Sequence, residues 1–176
     1  LTLLMRYHNR AFRYPVLIAH DEVIASPLRE ELTALAEGAS LSFAKLDVAL
    51  PGHIDERNVP ESVLGFPVAY RHMIRWKVGL LWHMAAVAPY EYIWSLDTDA
   101  FLLGPITYDV FGWMASRNAT YGYIDVNVET PEVANGLSDC VGKYLRKANP
   151  AIAPTMLGNF SLGGSTGARA RWDGSK

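Results

Sequence analysis

Residues 90–102, YEYIWSLDTDAFL, combine an apolar run with two carboxylates that are one residue apart. The first half of this stretch is rich in aromatic and β-branched residues and contains no Gly or Pro, which predicts a buried β-strand. Two carboxylates, Asp97 and Asp99, follow where that strand would end. In open α/β sheets, ligands bind beyond the carboxyl ends of the strands. The pair therefore suits a hard divalent cation with oxygen ligands, and the alternative is two solvated turn aspartates.

The composition is that of a folded globular protein. Of the 176 residues, 50% are hydrophobic and 19% are charged, which suggests one domain with a sizeable core. The net charge is −2 and the basic residues are scattered, which argues against a nucleic-acid-binding surface or a polybasic membrane patch. Cys140 is the one cysteine, so no internal disulfide can form.

Helical and strand patterns alternate on both sides of this stretch. Helices are predicted over residues 1–12, 26–38, 70–88, 108–116 and 131–147. Further strands are predicted over residues 14–19, 41–48, 120–128 and 156–162. Residues 49–67 contain three Pro and two Gly and are expected to form a loop, which at this length is usually functional or mobile. The alternation predicts an α/β layered fold with a mainly parallel central sheet.

Polar residues on two of these elements could line a site. Arg71 and Arg75 lie one turn apart on one face of the predicted helix 70–88, where they could clamp phosphates or form a solvated basic edge. Asp125, Asn127 and Glu129 alternate along the strand 120–128 and so share one side of it. That side could face a polar cleft or solvent.

Several ordered motifs point to a family. Residues 70–76 (YRHMIRW) resemble the Y-R-x-M-x-R-[FW] motif of glycosyltransferase family 15, the fungal Kre2/Mnt1-type α-1,2-mannosyltransferases. Residues 96–102 (LDTDAFL) resemble the metal and donor segment that follows it. Similar matches are ITYDVF at 106–111 to I-x-Y-D-x-F, TYGY at 120–123 to T-Y-G-[FY], and residues 12–22 to the family's Y-P strand. Linked motifs in order are far more specific than a lone D-x-D.

The resemblance implies a fold, a reaction and a compartment. The fold would be the GT-A type, a Rossmann-like α/β arrangement. The reaction would be retaining transfer of mannose from GDP-mannose, with Mn²⁺, to a mannosyl oligosaccharide or glycoprotein. The protein would act on the lumenal side of the Golgi membrane, held there by an anchor that this chain does not include.

The resemblance also implies roles for individual residues. Asp97 and Asp99 would hold the metal. Tyr70, Arg71, Arg75 and Asp97 would border the donor and its diphosphate. The predicted catalytic groups are therefore Tyr70, Arg75, Asp97 and Asp99.

The matching domain would cover residues 1–162 and be incomplete at both ends, with residues 163–176 a disordered or non-native tail. The family's proposed catalytic glutamate, in N-F-E, is replaced by Ser161 in the best match here. A serine hydroxyl without an adjacent base is a poor nucleophile, so a catalytically impaired sugar- or nucleotide-binding pseudo-transferase is an alternative. Phosphohydrolases of the haloacid dehalogenase type also carry D-x-D after a strand, but they need Thr or Val where Phe101 stands.

Overall fold

The computed structural model describes residues 1–46, 48–124 and 130–148. The chain divides after Gly122 into two units, Leu1–Gly122 and Tyr123–Lys176. The first unit opens with α1, a continuous helix made of Thr2–Leu4, the π-helical stretch Met5–Asn9, and Arg10–Phe12. There follow β1 (Val16–His20), α2 (Ser26–Leu35), β2 (Leu41–Lys45), β3 (Ser62–Val63), β4 (Phe66–Pro67), α3 (Val68–Val78) and α4 (Val110–Ser116). The second unit contains α5 (Pro131–Ala134) and α6 (Leu137–Ala148).

The β1–α2–β2 segment confirms the predicted alternation in the first third of the chain. β1 and β2 pair in parallel, with Val16 opposite Leu41 and His20 opposite Lys45. Pro27 lies in the first turn of α2. Its lack of an N–H costs nothing there, because N–H groups in the first turn have no partner within the helix. The N-cap position is occupied by Ala25, and the helix begins at Ser26, where the predicted helix begins. This segment is a parallel βαβ unit, the building block of α/β folds.

Buried residues of α1 fix the chain where it turns into β1. Met5 is 1% exposed and Asn9 is 2% exposed. The Asn9 side chain donates to the carbonyl of Tyr14 and accepts from the Tyr14 N–H, both at 2.8 Å. Arg13, between them, adopts a φ of 55°, which turns the chain sharply. The buried amide is thus fully used in closing the turn, as a buried polar group must be.

The prediction of a strand over the first half of residues 90–102 is wrong. No sheet pairing involves this segment among the residues described, where the parallel sheet consists of β1 and β2. Two of its aromatic side chains are packed nonetheless: Trp94 lies edge-on to His8 at 5.4 Å, and the ring of Tyr92 lies 6.3 Å from that of Phe111. An apolar run can be held through its side chains alone, and periodicity does not reveal whether its backbone finds a partner.

Three other elements differ from their predictions. α3 ends at Val78, ten residues earlier than expected, and a 3₁₀ turn at Leu80–His83 follows Gly79. The predicted loop 49–67 contains the β3–β4 hairpin and a 3₁₀ turn at Glu56–Asn58. The helix predicted over 131–147 is broken between α5 and α6, where Gly136 has a φ of 75° that a helix does not accommodate.

The remaining strand predictions are only partly covered. Residues 120–124 form no strand, and residues 125–129 lie outside the described part of the chain. The predicted strand 156–162 and the tail 163–176 also lie outside it. Within the described ranges the fold is a mixture of helices and a short parallel sheet, compatible with the α/β class, and the GT-A arrangement stays a prediction. None of the helices in these ranges has the length and apolar character needed to cross a bilayer.

Candidate active site

The two aspartates of the D-x-D sequence lie on an exposed turn. The N–H of Ala100 donates to the Asp97 carbonyl at 3.0 Å, which places Thr98 and Asp99 at the tip. The side chain of Asp97 is 56% exposed and forms an ion pair with the Lys77 ammonium. No ion pair involves the Asp99 carboxylate within the described ranges. Both carboxylates are therefore open to a ligand from solvent.

A basic cleft lies between α3 and the segment that precedes it. Its volume is about 250 Å³, and its walls are mainly apolar. Arg71 donates to the Pro60 carbonyl, and Arg75 Nη1 donates to the Ala49 carbonyl at 2.9 Å. The described residues that line the cleft include no carboxylate. The two arginines thus share one face of α3, as predicted, and both donate hydrogen bonds to backbone carbonyls of the described residues.

One guanidinium nitrogen in this cleft has no hydrogen-bond partner among the described residues. This nitrogen, Arg71 Nε, is also buried. A buried donor left without an acceptor costs about 1–3 kcal/mol. The cleft therefore combines two positive charges with one unsatisfied donor, a combination that suits an anionic ligand.

The basic cleft with Arg71 and Arg75 lies on one side of α3, and the turn at residues 97–100, the acidic turn, lies on the other. Residues in an α-helix advance by about 100°, so Lys77 lies roughly 200° around the axis from Arg75. The acidic turn meets α3 on the side of Lys77, whereas the cleft lies on the side of Arg71 and Arg75. Asp97 thus contacts α3 through Lys77, which is not among the site residues predicted from the sequence.

Tyr70 lies at the start of α3 and stacks on an aromatic residue of β4. Its ring centroid is 4.7 Å from that of Phe66, with 23° between the planes. Both residues are 40% exposed. The pair presents a flat aromatic surface at the beginning of the helix that carries Arg71 and Arg75.

The chain that leaves the acidic turn is tied to α1 and to the start of α4. The Ile106 N–H donates to the Tyr7 carbonyl at 2.9 Å. Asp109 caps α4 by accepting from the Gly112 N–H at 3.0 Å, and it also accepts from the Tyr14 hydroxyl at 2.8 Å. These two hydrogen bonds, the Gly112 one first, hold the pKa of the Asp109 carboxyl below its usual value. The same contact raises the pKa of Tyr14.

The acidic turn suits an open metal site, completed by substrate and water, and not a closed site made of protein ligands alone. No cluster of three His, Cys, Asp or Glu side chains exists in the part of the chain that the structure describes, so these residues form no closed protein cage. Small hard cations such as Mg²⁺ commonly bind through one or two carboxylates and complete their shell with substrate phosphates and water. Asp97 and Asp99 suit that open type of site, in which the substrate supplies the remaining ligands.

Comparison with known proteins identifies the family. A family model described as glycolipid 2-alpha-mannosyltransferase matches residues 2–162. The chain belongs to this family. All the motifs quoted above lie inside the matched range, which confirms the resemblance that they indicated. The match also favours a glycosyltransferase over the phosphohydrolase alternative.

Individual mannosyltransferases support the same assignment. The chain is 28% identical over 156 residues to probable mannosyltransferase KTR3 of Saccharomyces cerevisiae, covering 82% of this chain and 38% of that protein. It is 26% identical over 160 residues to glycolipid 2-alpha-mannosyltransferase 1 of Candida albicans, covering 85% and 37%. It is 25% identical over 126 residues to alpha-1,2 mannosyltransferase KTR1 of Saccharomyces cerevisiae, covering 65% and 32%. The chain thus spans less than two-fifths of the length of these relatives. No solved structure matches it.

Proposed function

We propose that this protein transfers mannose from GDP-mannose to a mannosyl oligosaccharide or glycoprotein, with retention of the anomeric configuration, on the lumenal side of the Golgi membrane. Membership of a mannosyltransferase family supports the reaction class. The structural observation that carries the proposal is the exposed turn at Asp97–Ala100. It presents two carboxylates to solvent within the segment that resembles the family's metal and donor motif.

Each predicted site residue has a role in this proposal. Asp97 and Asp99 would hold a divalent cation, Mn²⁺ by resemblance, which when bound neutralises charge on the diphosphate leaving group. Arg71 and Arg75 would border the donor by resemblance; because their cleft lies on the other side of α3 from Asp97, they would act on the donor's negative charge at longer range. Tyr70, with Phe66, offers an exposed aromatic face on which a sugar or base ring could pack.

A nucleotide-binding experiment tests this proposal. In the full-length protein, GDP with Mn²⁺ should raise the melting temperature more than UDP with Mn²⁺, and a chelator should abolish the difference. A ligand at 100 times its Kd stabilises the folded state by about 2.7 kcal/mol, which a melting curve resolves. Equal shifts with both nucleotides, or none with GDP, would count against a GDP-mannose donor.

Two further results would favour the alternatives. Tight GDP binding without any mannose transfer would favour the impaired pseudo-transferase, for which the motivating observation is Ser161 in place of the family's glutamate. Hydrolysis of p-nitrophenyl phosphate without a nucleotide would favour the phosphohydrolase. Transfer activity together with GDP selectivity would exclude both.

A further inference from the structure

Among the described residues, Lys77 is the charged group that forms an ion pair with the acidic turn. It belongs to α3, and its ammonium pairs with Asp97 Oδ1. The lysine side chain is 27% exposed and that of Asp97 is 56% exposed. Ion pairs that water reaches in this way contribute little to stability. A contact that stabilises the fold so weakly can be exchanged for another at little cost.

We propose that Lys77 is the group that contacts the diphosphate of the nucleotide at the acidic turn, and that its pairing with Asp97 is the state without ligand. This inference rests on the proposed function. When Asp97 takes a cation as its partner, Lys77 is left with an uncompensated ammonium beside the turn. An anionic phosphate is the chemical group that such an ammonium prefers.

The arginines of α3 are less well placed for this contact. Arg71 and Arg75 lie on the cleft side of the helix and hold the carbonyls of Pro60 and Ala49. Lys77 already touches the turn, and it bears a compact charge on a flexible four-carbon stem that can move between two nearby partners. Exchange of one partner for another therefore requires a change of side-chain rotamer and no movement of α3.

The exchange has a consequence for binding energies. Without nucleotide, Lys77 competes with a cation for Asp97 and weakens cation binding. With nucleotide, Lys77 attracts the phosphates and strengthens nucleotide binding. Removing Lys77 should therefore change the two affinities in opposite directions, and this reduces the coupling between the two ligands.

The test compares Lys77→Met with wild type in the full-length protein. Mn²⁺ affinity is measured by electron paramagnetic resonance without nucleotide, and GDP affinity by calorimetry at saturating Mn²⁺. In Lys77→Met, Mn²⁺ alone should bind about two- to fivefold more tightly, because a competing ion pair of the exposed kind is gone. GDP should bind about tenfold more weakly, because one charged hydrogen bond is lost. Guanosine, which has no phosphate, should bind equally to both proteins.

Two variants serve as controls. Lys45→Met removes an exposed lysine at the end of β2 and should change neither affinity. Lys77→Arg keeps a positive charge and should retain most of the GDP affinity. The melting temperature of Lys77→Met in chelator should stay close to that of wild type, which shows that the variant folds.

The outcomes separate this inference from the proposed function. If wild type binds Mn²⁺ and GDP but Lys77→Met binds both with unchanged affinity, Lys77 has no role at the turn and the inference is overturned. A loss of Mn²⁺ affinity in Lys77→Met would also overturn it, because Lys77 would then be positioning Asp97 rather than competing for it. If wild type itself shows no metal-dependent GDP binding, the proposed function fails, and the role of Lys77 falls with it.

Discussion

At the scale of single residues, the two carboxylates of the acidic turn differ in their surroundings. Asp97 is paired with Lys77, whereas Asp99 has no ion pair within the described ranges. If Asp99 holds a metal, Asp99→Asn removes a charged oxygen at nearly constant volume. Metal-dependent GDP affinity should then fall at least about tenfold, a difference of roughly 1.4 kcal/mol.

The stability of the same variant distinguishes a metal ligand from a turn residue. A carboxylate beside another carboxylate is unfavourable without a cation, so Asp99→Asn should melt at the same or a slightly higher temperature in chelator. Asp139→Asn, at an exposed position of α6, is the matched control and should leave GDP affinity unchanged. A loss of stability that is identical with and without Mn²⁺, at unchanged GDP affinity, would remove Asp99 from the site.

Asp109 gives the fold a defined response to acid. Its pKa is lowered from 3.8 by the Gly112 N–H and then by the Tyr14 hydroxyl. A carboxyl with a lowered pKa in the folded state stabilises it above the unfolded pKa, and this contribution disappears as the pH falls through the folded pKa. The melting temperature of Asp109→Asn should therefore fall less steeply than that of wild type below about pH 4. Asparagine remains a good helix cap, so the comparison isolates the charge.

The corresponding control is another surface carboxylate. Glu30→Gln, on the exposed side of α2, should follow the wild-type melting curve across the same pH range. Identical slopes for Asp109→Asn and wild type would show that the carboxylate charge does not support the cap.

Residue types and spacing predicted some site residues and missed others. The shared face of Arg71 and Arg75 follows from helical periodicity alone. Lys77 was missed because its partner lies twenty residues further along the chain, and a lysine in a helix ordinarily indicates a solvated surface. The cap at Asp109 was predictable from the sequence. An Asp immediately before a helix commonly accepts a hydrogen bond from the backbone N–H three residues later.

At the scale of elements, the Asp109 cap stabilises the first turn of α4. A Cβ added at Gly112 would lie 2.6 Å from Asp109 Oδ2, closer than real Cβ contacts. Alanine is intrinsically better than glycine in a helix by about 1 kcal/mol. Gly112→Ala should nevertheless lower the melting temperature, because the Asp109 carboxylate must shift away from the added Cβ, which weakens its hydrogen bonds with Gly112 and Tyr14. A melting temperature above that of wild type would contradict the cap.

Element boundaries follow the sequence where the signal is local and fail where it is not. The β1–α2–β2 unit was predictable because turn residues bound each element. α3 stops early because Gly79, inside the apolar run, lies at a φ of −131° and a ψ of −64°, outside the helical region. Within the apolar run of residues 90–96, Trp94 and Tyr92 pack against His8 and Phe111, and nothing local specifies a backbone partner for a strand.

At the scale of the whole molecule, the motifs carried more information than the periodicity. YRHMIRW, LDTDAFL and ITYDVF all lie in the first unit, and their order alone indicated the family that the comparison established. Contacts between distant segments were not accessible in this way. The structure shows that α3 meets the acidic turn through Lys77 and that the segment after the turn packs on α1.

The central claim is retaining mannosyl transfer from GDP-mannose. The most direct measurement incubates the full-length protein with Mn²⁺, GDP-mannose labelled with ¹³C at C1 of mannose, and methyl α-mannoside as acceptor. The anomeric signal of the product is then read by NMR. We expect an α-linked dimannoside that is absent in chelator and strongly reduced in Asp99→Asn. A β-linked product would contradict this, and so would an α-linked product formed at the full wild-type yield by Asp99→Asn or in the presence of chelator.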